Sequence, residues 1–287
     1  MEEWLSGIQF ERQGPLKRLL KHTVFNPLAN YFPAAWLKAA LRFSKSELAA
    51  ANWSDPGGWR SMVISYDAAC PQIADKLLVN AGTISMALRN RRRLGSRLIA
   101  HLIDAGPSDP VHVLCLGAGP GRIIMDAMKQ ARRPSRATLV DLSADAFDYG
   151  RQCASAAGLQ ERVRFIAGDV RDVGGMLDRP VDVAKMIGIC EYLSDEQILS
   201  IAHALAAVMP AGSAVVFNSI SPSHGTDRFF RRVFGLHMNH RSPRELEAIF
   251  AAAGFGEFFR SREPLGVYHM ILGRRLNHAA KASPRHV

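Results

Sequence analysis

Residues 117–121 read Gly-Ala-Gly-Pro-Gly, directly after the apolar run Val111-His112-Val113-Leu114-Cys115-Leu116 and directly before a helical stretch. Glycine tolerates the tight turn and lets a ligand approach the backbone, and the next helix offers free N–H groups at its start. Gly117, Ala118, Gly119 and Gly121 therefore form a candidate nucleotide-binding floor, with a purely structural glycine loop as the plain alternative. The spacing departs from the Gly-x-Gly-x-x-Gly of dinucleotide enzymes, and no Gly-Lys-Ser/Thr follows. Pro120 also has no N–H to donate. Asp141 stands 24 residues after Gly117, a distance suited to a ribose-binding carboxylate one strand over. Asp169 follows Gly168 and is suited to accept from an adenine amino group. Each Asp has a cap or turn role as its alternative. Leu142, Val170 and Gly188 join the candidate contacts.

Groups for the reaction itself are expected further along. The run Lys185-Met186-Ile187-Gly188-Ile189-Cys190-Glu191-Tyr192 ends a predicted strand at the ligand side of a parallel sheet. Glu191 can bind an amine or remove its proton, or simply stand in solvent. Tyr192 suits a pocket wall or acceptor positioning, or packing. Asn218 ends the next strand, and His224 in the long connector 220–241 is a candidate general base. His237 and His240 have ligand-like spacing, but no cysteine or carboxylate completes a set, so no metal is expected. Tyr66 is a candidate to close over the site from the N-terminal side. Arg89 to Arg93 could meet an acidic substrate, although a solvated helix face is the simpler reading. Arg91 interrupts the apolar stripe of its helix, so its stem is expected to snorkel.

The elements that must position these groups fall into two regimes. Residues 1–105 read as helical pieces, the clearest at 83–104. Ser44 and Glu47 suggest a capping box, 52–58 a break, and 67–79 a helix. From residue 106 to 275, short β-branched runs alternate with helices, which signals an α/β parallel sheet. Strands are expected at 111–116, 137–142, 163–167, 181–187, 214–218, 257–261 and 267–272. Helices are expected at 122–131, 144–157, 195–208 and 243–253, two of them opened by capping boxes at Ser194 and Ser242. The short link 262–266 cannot hold a crossover helix, so the last two strands must be antiparallel. Residues 276–287 read as a flexible basic tail.

The chain carries 36 Lys plus Arg against 26 Asp plus Glu, a formal charge of +10. That raises the case for an anionic partner, with solvated surface as the bland reading. Four separated cysteines predict free thiols. No run reaches the roughly 18 apolar residues of a membrane span, and Met1-Glu2-Glu3-Trp4 lacks a basic signal start, so a cytoplasmic location and no membrane partner are expected.

Residues 110–273 resemble the class I S-adenosylmethionine-dependent methyltransferase superfamily, on Val111–Gly121, Asp141, Gly168-Asp169 and the terminal hairpin. The resemblance implies a Rossmann-like sheet with a terminal antiparallel strand pair, and S-adenosyl-L-methionine as cofactor. It implies that Gly117 and Gly119 shape the methionine side, Asp141 holds the ribose and Asp169 contacts adenine. The N-terminal helices would then be a substrate-enclosing cap. The leading expectation is methyl transfer to a small molecule, with nucleic acid not expected as partner. Alternatives are a cyclase resembling azetidine-2-carboxylate synthases, which needs no second substrate and releases methylthioadenosine, a nucleic-acid methyltransferase, and a non-catalytic cofactor-binding protein. The glycine spacing and the hairpin disfavour an NAD oxidoreductase.

Overall fold

The computed structural model describes residues 3–277; of the tail expected at 276–287, residues 278–287 lie outside the described residues. Seven strands form one sheet in the order β3-β2-β1-β4-β5-β7-β6. They are β1 Val111–Leu116, β2 Ser135–Asp141, β3 Val163–Ala167, β4 Val183–Met186, β5 Ala214–Ile220, β6 Phe255–Arg262 and β7 Tyr268–Arg275. The first five are mutually parallel, and β7 runs antiparallel to both β5 and β6. This is the Rossmann-like sheet with a terminal antiparallel pair that the sequence predicts. Strands β1, β4 and β5 are buried throughout, as a parallel sheet covered on both faces requires. One apolar cluster joins Leu98, Ile103, Val113 and Ile124 on one face; another joins Leu114, Met186, Ile201 and Phe250 on the other.

Two helix starts behave as their sequences dictate. Ser194 and Ser242 both accept from the backbone three residues on, while Gln197 and Glu245 reach back to the cap N–H. Thr83–Asp104 is one helix of 22 residues. Among the described residues, no helix is long and apolar enough to cross a membrane.

The N-terminal helices correct several expectations. Ser46, not Ser44, caps Glu47–Ser54, accepting from Ala49 N–H; Ser44 ends the preceding helix. That helix carries through Asn52, so the break narrows to the residues after Ser54. The stretch 67–79 is not one helix. Trp59–Asp67 ends where Ala68 turns left-handed at φ 54°, and helix resumes only at Ile73–Asp75 and Lys76–Ala81. Pro71 lies in the intervening loop, where its missing N–H is harmless. Tyr66 consequently sits inside the last turn of a helix rather than ahead of one.

Helix Trp59–Asp67 is strapped across the C-terminal edge of the sheet. The Trp59 ring stacks on Tyr149 at 5.9 Å, and Trp59 Nε1 donates to Asp145 at 3.2 Å. Arg60 pairs with Asp145 at 2.9 Å, and Asp67 with Arg122 at 2.8 Å. Isolated surface ion pairs of this kind contribute little stability, but together they fix where the helix lies over the sheet.

Candidate active site

Between helix Trp59–Asp67 and the ends of β1, β2 and β4 lies a cavity of about 320 Å³. Its floor is the glycine turn. Gly117, Gly119 and Gly121 have φ of 58°, 49° and 78°, a left-handed backbone that costs an L-residue about 1–2 kcal/mol. Their surroundings differ. A Cβ on Gly117 would stand 2.0 Å from Ile189 Cγ2, and one on Gly121 2.1 Å from Leu139 Cδ2. A Cβ on Gly119 would meet nothing nearer than Trp59 Cβ at 3.4 Å. Gly117 and Gly121 are thus demanded by packing, whereas Gly119 keeps space open in the cavity. A Gly119→Ala variant is expected to fold with a loss of only about 1–2 kcal/mol yet to bind a cavity ligand at least 10-fold more weakly. Thermal denaturation beside calorimetric titration with S-adenosylhomocysteine checks both halves.

Asp141 stands at the end of β2 on the cavity wall. Its Oδ2 accepts from Gly119 N–H at 2.6 Å and its Oδ1 from Ser143 N–H at 2.8 Å. The carboxylate therefore braces the turn and keeps lone pairs for a further donor. Lys185, buried beneath, reaches Gly117 O at 3.3 Å. Gly188 closes the wall at the end of β4; its φ of 90° is held by N–H donation to Asn218 Oδ1 at 2.7 Å. Ala118, Leu142 and Val170 line the same cavity.

The roof is charged and aromatic. Arg91 and Glu191 form an ion pair at 3.1 Å with side chains only 4 % and 3 % exposed. The guanidinium lies over the Tyr268 ring at 4.6 Å, and burial pushes that phenol well above its ordinary pKa. Tyr66 lines the same cavity and interacts with Arg91. Tyr192 completes the wall, its hydroxyl occupying the space that a side chain on Gly57 would fill. Glu191 Oε2 and Arg91 Nε are buried with no hydrogen-bond partner among the described residues. Buried polar atoms are seldom left unpaired, so the pair has one acceptor and one donor to offer a ligand.

Three predicted site residues do not line this cavity. Asp169 caps the turn after β3, where both carboxylate oxygens bind Arg171, Nη2 at 2.5 Å, and these bonds pull its pKa down to about 2. Asn218 is fully buried behind Gly188 and acts through that backbone. His224 lies beneath the first helices. Its Nδ1 is 3.0 Å from Thr226 Oγ1, its backbone carbonyl accepts from Asn26, and its ring packs against His240. A general base needs reach to the reacting proton, and His224 has no access to the cavity. Burial, with His240 and Lys21 adding to it, pushes its pKa down to about 3. The unfolded chain takes up this proton near pH 6.5 and the folded one does not. Stability at His224 is therefore complete above about pH 6.5 and falls by up to about 1.4 kcal/mol per pH unit as pH drops towards 3. Urea denaturation between pH 4 and 8 should show that slope reduced in His224→Gln.

The lining residues that sequence reasoning missed are Lys185, Tyr268, Trp59 and Met62, and Arg91 reads there only as part of a basic run and as a break in an apolar stripe. Arg91 does not snorkel but is buried whole, and Arg89 beside it is only 8 % exposed, so of the run expected to form a solvated face Arg93 is the exposed member. Among the described residues no group of three or more His, Cys, Asp or Glu side chains is placed to hold a metal.

Residues 113–212 match the model of a family described as a methyltransferase domain. The tRNA 5-carboxymethoxyuridine methyltransferase of Escherichia coli K12 is 32 % identical over 114 residues, 40 % of this chain and 41 % of that one. The release factor glutamine methyltransferase of Chlorobaculum tepidum is 34 % identical over 124 residues, again 40 % and 41 %. The chain thus spans about two fifths of the length of these curated relatives. In fold, it superposes on magnesium protoporphyrin IX methyltransferase from Synechocystis PCC 6803, solved with S-adenosylhomocysteine bound, with a TM-score of 0.57. That pair is 12 % identical, and the match covers 83 % of this chain and 99 % of the other. The likeness to a tRNA-modifying enzyme overturns the expectation against a nucleic-acid partner.

Proposed function

We propose, from the premise that the chain carries a class I S-adenosylmethionine-dependent methyltransferase domain, that it methylates an N–H or O–H group presented inside the roofed cavity. One observation carries this reading: the open space over Gly119, beside Asp141, lies under a buried Arg91–Glu191 pair that retains a free acceptor and a free donor atom. The residues fit the cofactor. Asp141 would hold the ribose hydroxyls, Gly117 to Gly121 would shape the methionine side, and Leu142 and Val170 would flank the base. When bound, S-adenosylmethionine supplies a methyl on a positively charged sulfur, open to in-line displacement. The chain's own work is positioning. Glu191 Oε2 can accept the hydrogen of the nucleophile and take its proton. Arg91 holds Glu191 in place through their ion pair at 3.1 Å, and Tyr66, Tyr192 and Tyr268 offer aromatic faces suited to a cation.

The cavity is near the lower end of the roughly 300–1,000 Å³ usual for small-molecule sites. An acceptor must therefore present a small reactive end, either a free metabolite or a group projecting from a nucleotide. The same small volume favours a second reading, a cyclase that needs no acceptor. Product analysis separates them. Protein is incubated with S-adenosylmethionine alone, with a small-molecule extract and with a transfer-RNA fraction. S-adenosylhomocysteine formed only with an acceptor fraction is the expected result. Methylthioadenosine formed without acceptor would establish the cyclase instead, and no turnover in any mixture would sink both.

A further inference from the structure

Resting on the methyl-transfer reading, we propose that an arginine cleft beside the cavity seats a phosphate group carried by the acceptor. The cleft has a volume of about 530 Å³. It lies between the segment 6–9, helix Thr83–Asp104 and helix Arg122–Gln130. Arg89, Arg92, Arg93 and Arg97 recur at spacings that put them on one helix face. Among the described lining residues Asp126 is the acidic one and Gln9 and Gln130 add neutral polar groups, while Glu11 pairs with Arg89 and Arg93 from outside the lining.

The arginines divide by commitment. Arg89 is consumed by Glu11, with two bonds of 2.7 Å, and by the carbonyls of Ser65 and Val79. Arg93 leans on Glu11 at 3.1 Å. Among the described residues, the hydrogen bonds of the Arg92 and Arg97 guanidinium groups run through Nε, to Asp126 at 2.6 Å and to Trp4 O at 3.1 Å. Those bonds fix each guanidinium while leaving its terminal N–H groups to a ligand. Fixed planar donors of this kind match phosphate oxygens in geometry as well as in charge.

Tyr66 joins this cleft to the reaction site. It lines both spaces. The Arg92 guanidinium lies over its ring at 5.2 Å, and Tyr66 also interacts with Arg91 in the roof of the cavity. A phosphate in the cleft would stand one aromatic ring away from the methylation site. A nucleotide, free or within an RNA, has the matching layout of phosphate at one end and modifiable group at the other.

The test uses the full chain saturated with S-adenosylhomocysteine, so that a nucleotide cannot enter the cofactor cavity. Adenosine monophosphate is expected to bind at least 10-fold more tightly than adenosine. An R92Q/R97Q variant should weaken adenosine monophosphate at least 10-fold with S-adenosylhomocysteine affinity unchanged. Arg132→Gln, on the 94 % exposed Arg132 side chain, should change nothing. If the double variant fails to fold, Gln130→Glu places a negative charge in the same cleft and must weaken the nucleotide likewise. A labelled RNA oligonucleotide binding at least 10-fold more tightly than the mononucleotide, and losing that in the variant, assigns the phosphate to a nucleic acid. Parity between the two assigns it to a small molecule. Equal binding of adenosine and its monophosphate, or equal weakening by Arg132→Gln, overturns the cleft. Absent S-adenosylhomocysteine binding would instead overturn the methyl-transfer reading beneath it.

Discussion

Replacing Asp141 by alanine is expected to weaken S-adenosylmethionine binding by at least 100-fold, the largest effect on affinity of any single substitution at the cavity. The carboxylate has about four lone-pair sites. Two are filled by Gly119 N–H and Ser143 N–H, which leaves two for the paired hydroxyls of a ribose. Hydrogen bonds to a charged group contribute about 1.5–3 kcal/mol each, so two amount to about 3–6 kcal/mol, or roughly a 100- to 10,000-fold change in affinity. The substitution also frees Gly119 N–H, so the turn loses its brace along with its ligand contact. Asp141→Asn is expected to fail similarly. Its amide has one acceptor oxygen, and its NH₂ would face one of two backbone donors. Calorimetric titration with S-adenosylhomocysteine, alongside a melting curve that shows the fold retained, measures the effect. Unchanged affinity in Asp141→Ala would remove the ribose assignment and with it the central support for where the cofactor lies.

The parts of this architecture legible in the sequence are those set by local chemistry. The glycine turn, the buried β-branched strands and the two capping boxes each depend on residues close together in the chain. The antiparallel ending was also legible, because five residues cannot carry a crossover. Side-chain direction was not. Asn218 and His224 lie near the sheet edge as expected, yet one points behind Gly188 and the other beneath the first helices. Asp169 presented the right residue after the right strand, but Arg171 two positions on binds both its oxygens. Arg91 is the instructive case. One helix seen alone gives a basic residue in an apolar stripe and no means of knowing its partner. Glu191 is 100 residues away and is brought to it only when β4 pairs beside β1 under the helix.

That pair carries the largest expected effect on stability. Arg91→Met should destabilise the fold by about 3–5 kcal/mol, because it strands Glu191 as a buried charge without its counterion. At roughly 2–4 °C per kcal/mol for a chain of this size, the melting temperature should fall by roughly 6–20 °C. A double variant, R91M/E191L, removes both charges and keeps much of the volume. It should recover most of the loss, since apolar replacement of a buried ion pair is often neutral or stabilising. S-adenosylhomocysteine affinity should survive in the double variant, because neither side chain belongs to the glycine turn or to Asp141. Transfer to an acceptor should not survive, because the free Glu191 Oε2 and Arg91 Nε atoms are gone. A single variant that melts within a degree or two of the parent would show the pair to be far less costly to break than its burial implies. A double variant that is stable, binds the cofactor product and still methylates would show the pair to be structural. Stability regained with transfer lost would mean that two charges are kept in the roof for the acceptor's sake, at a site where hydrophobic packing would have served the fold equally well.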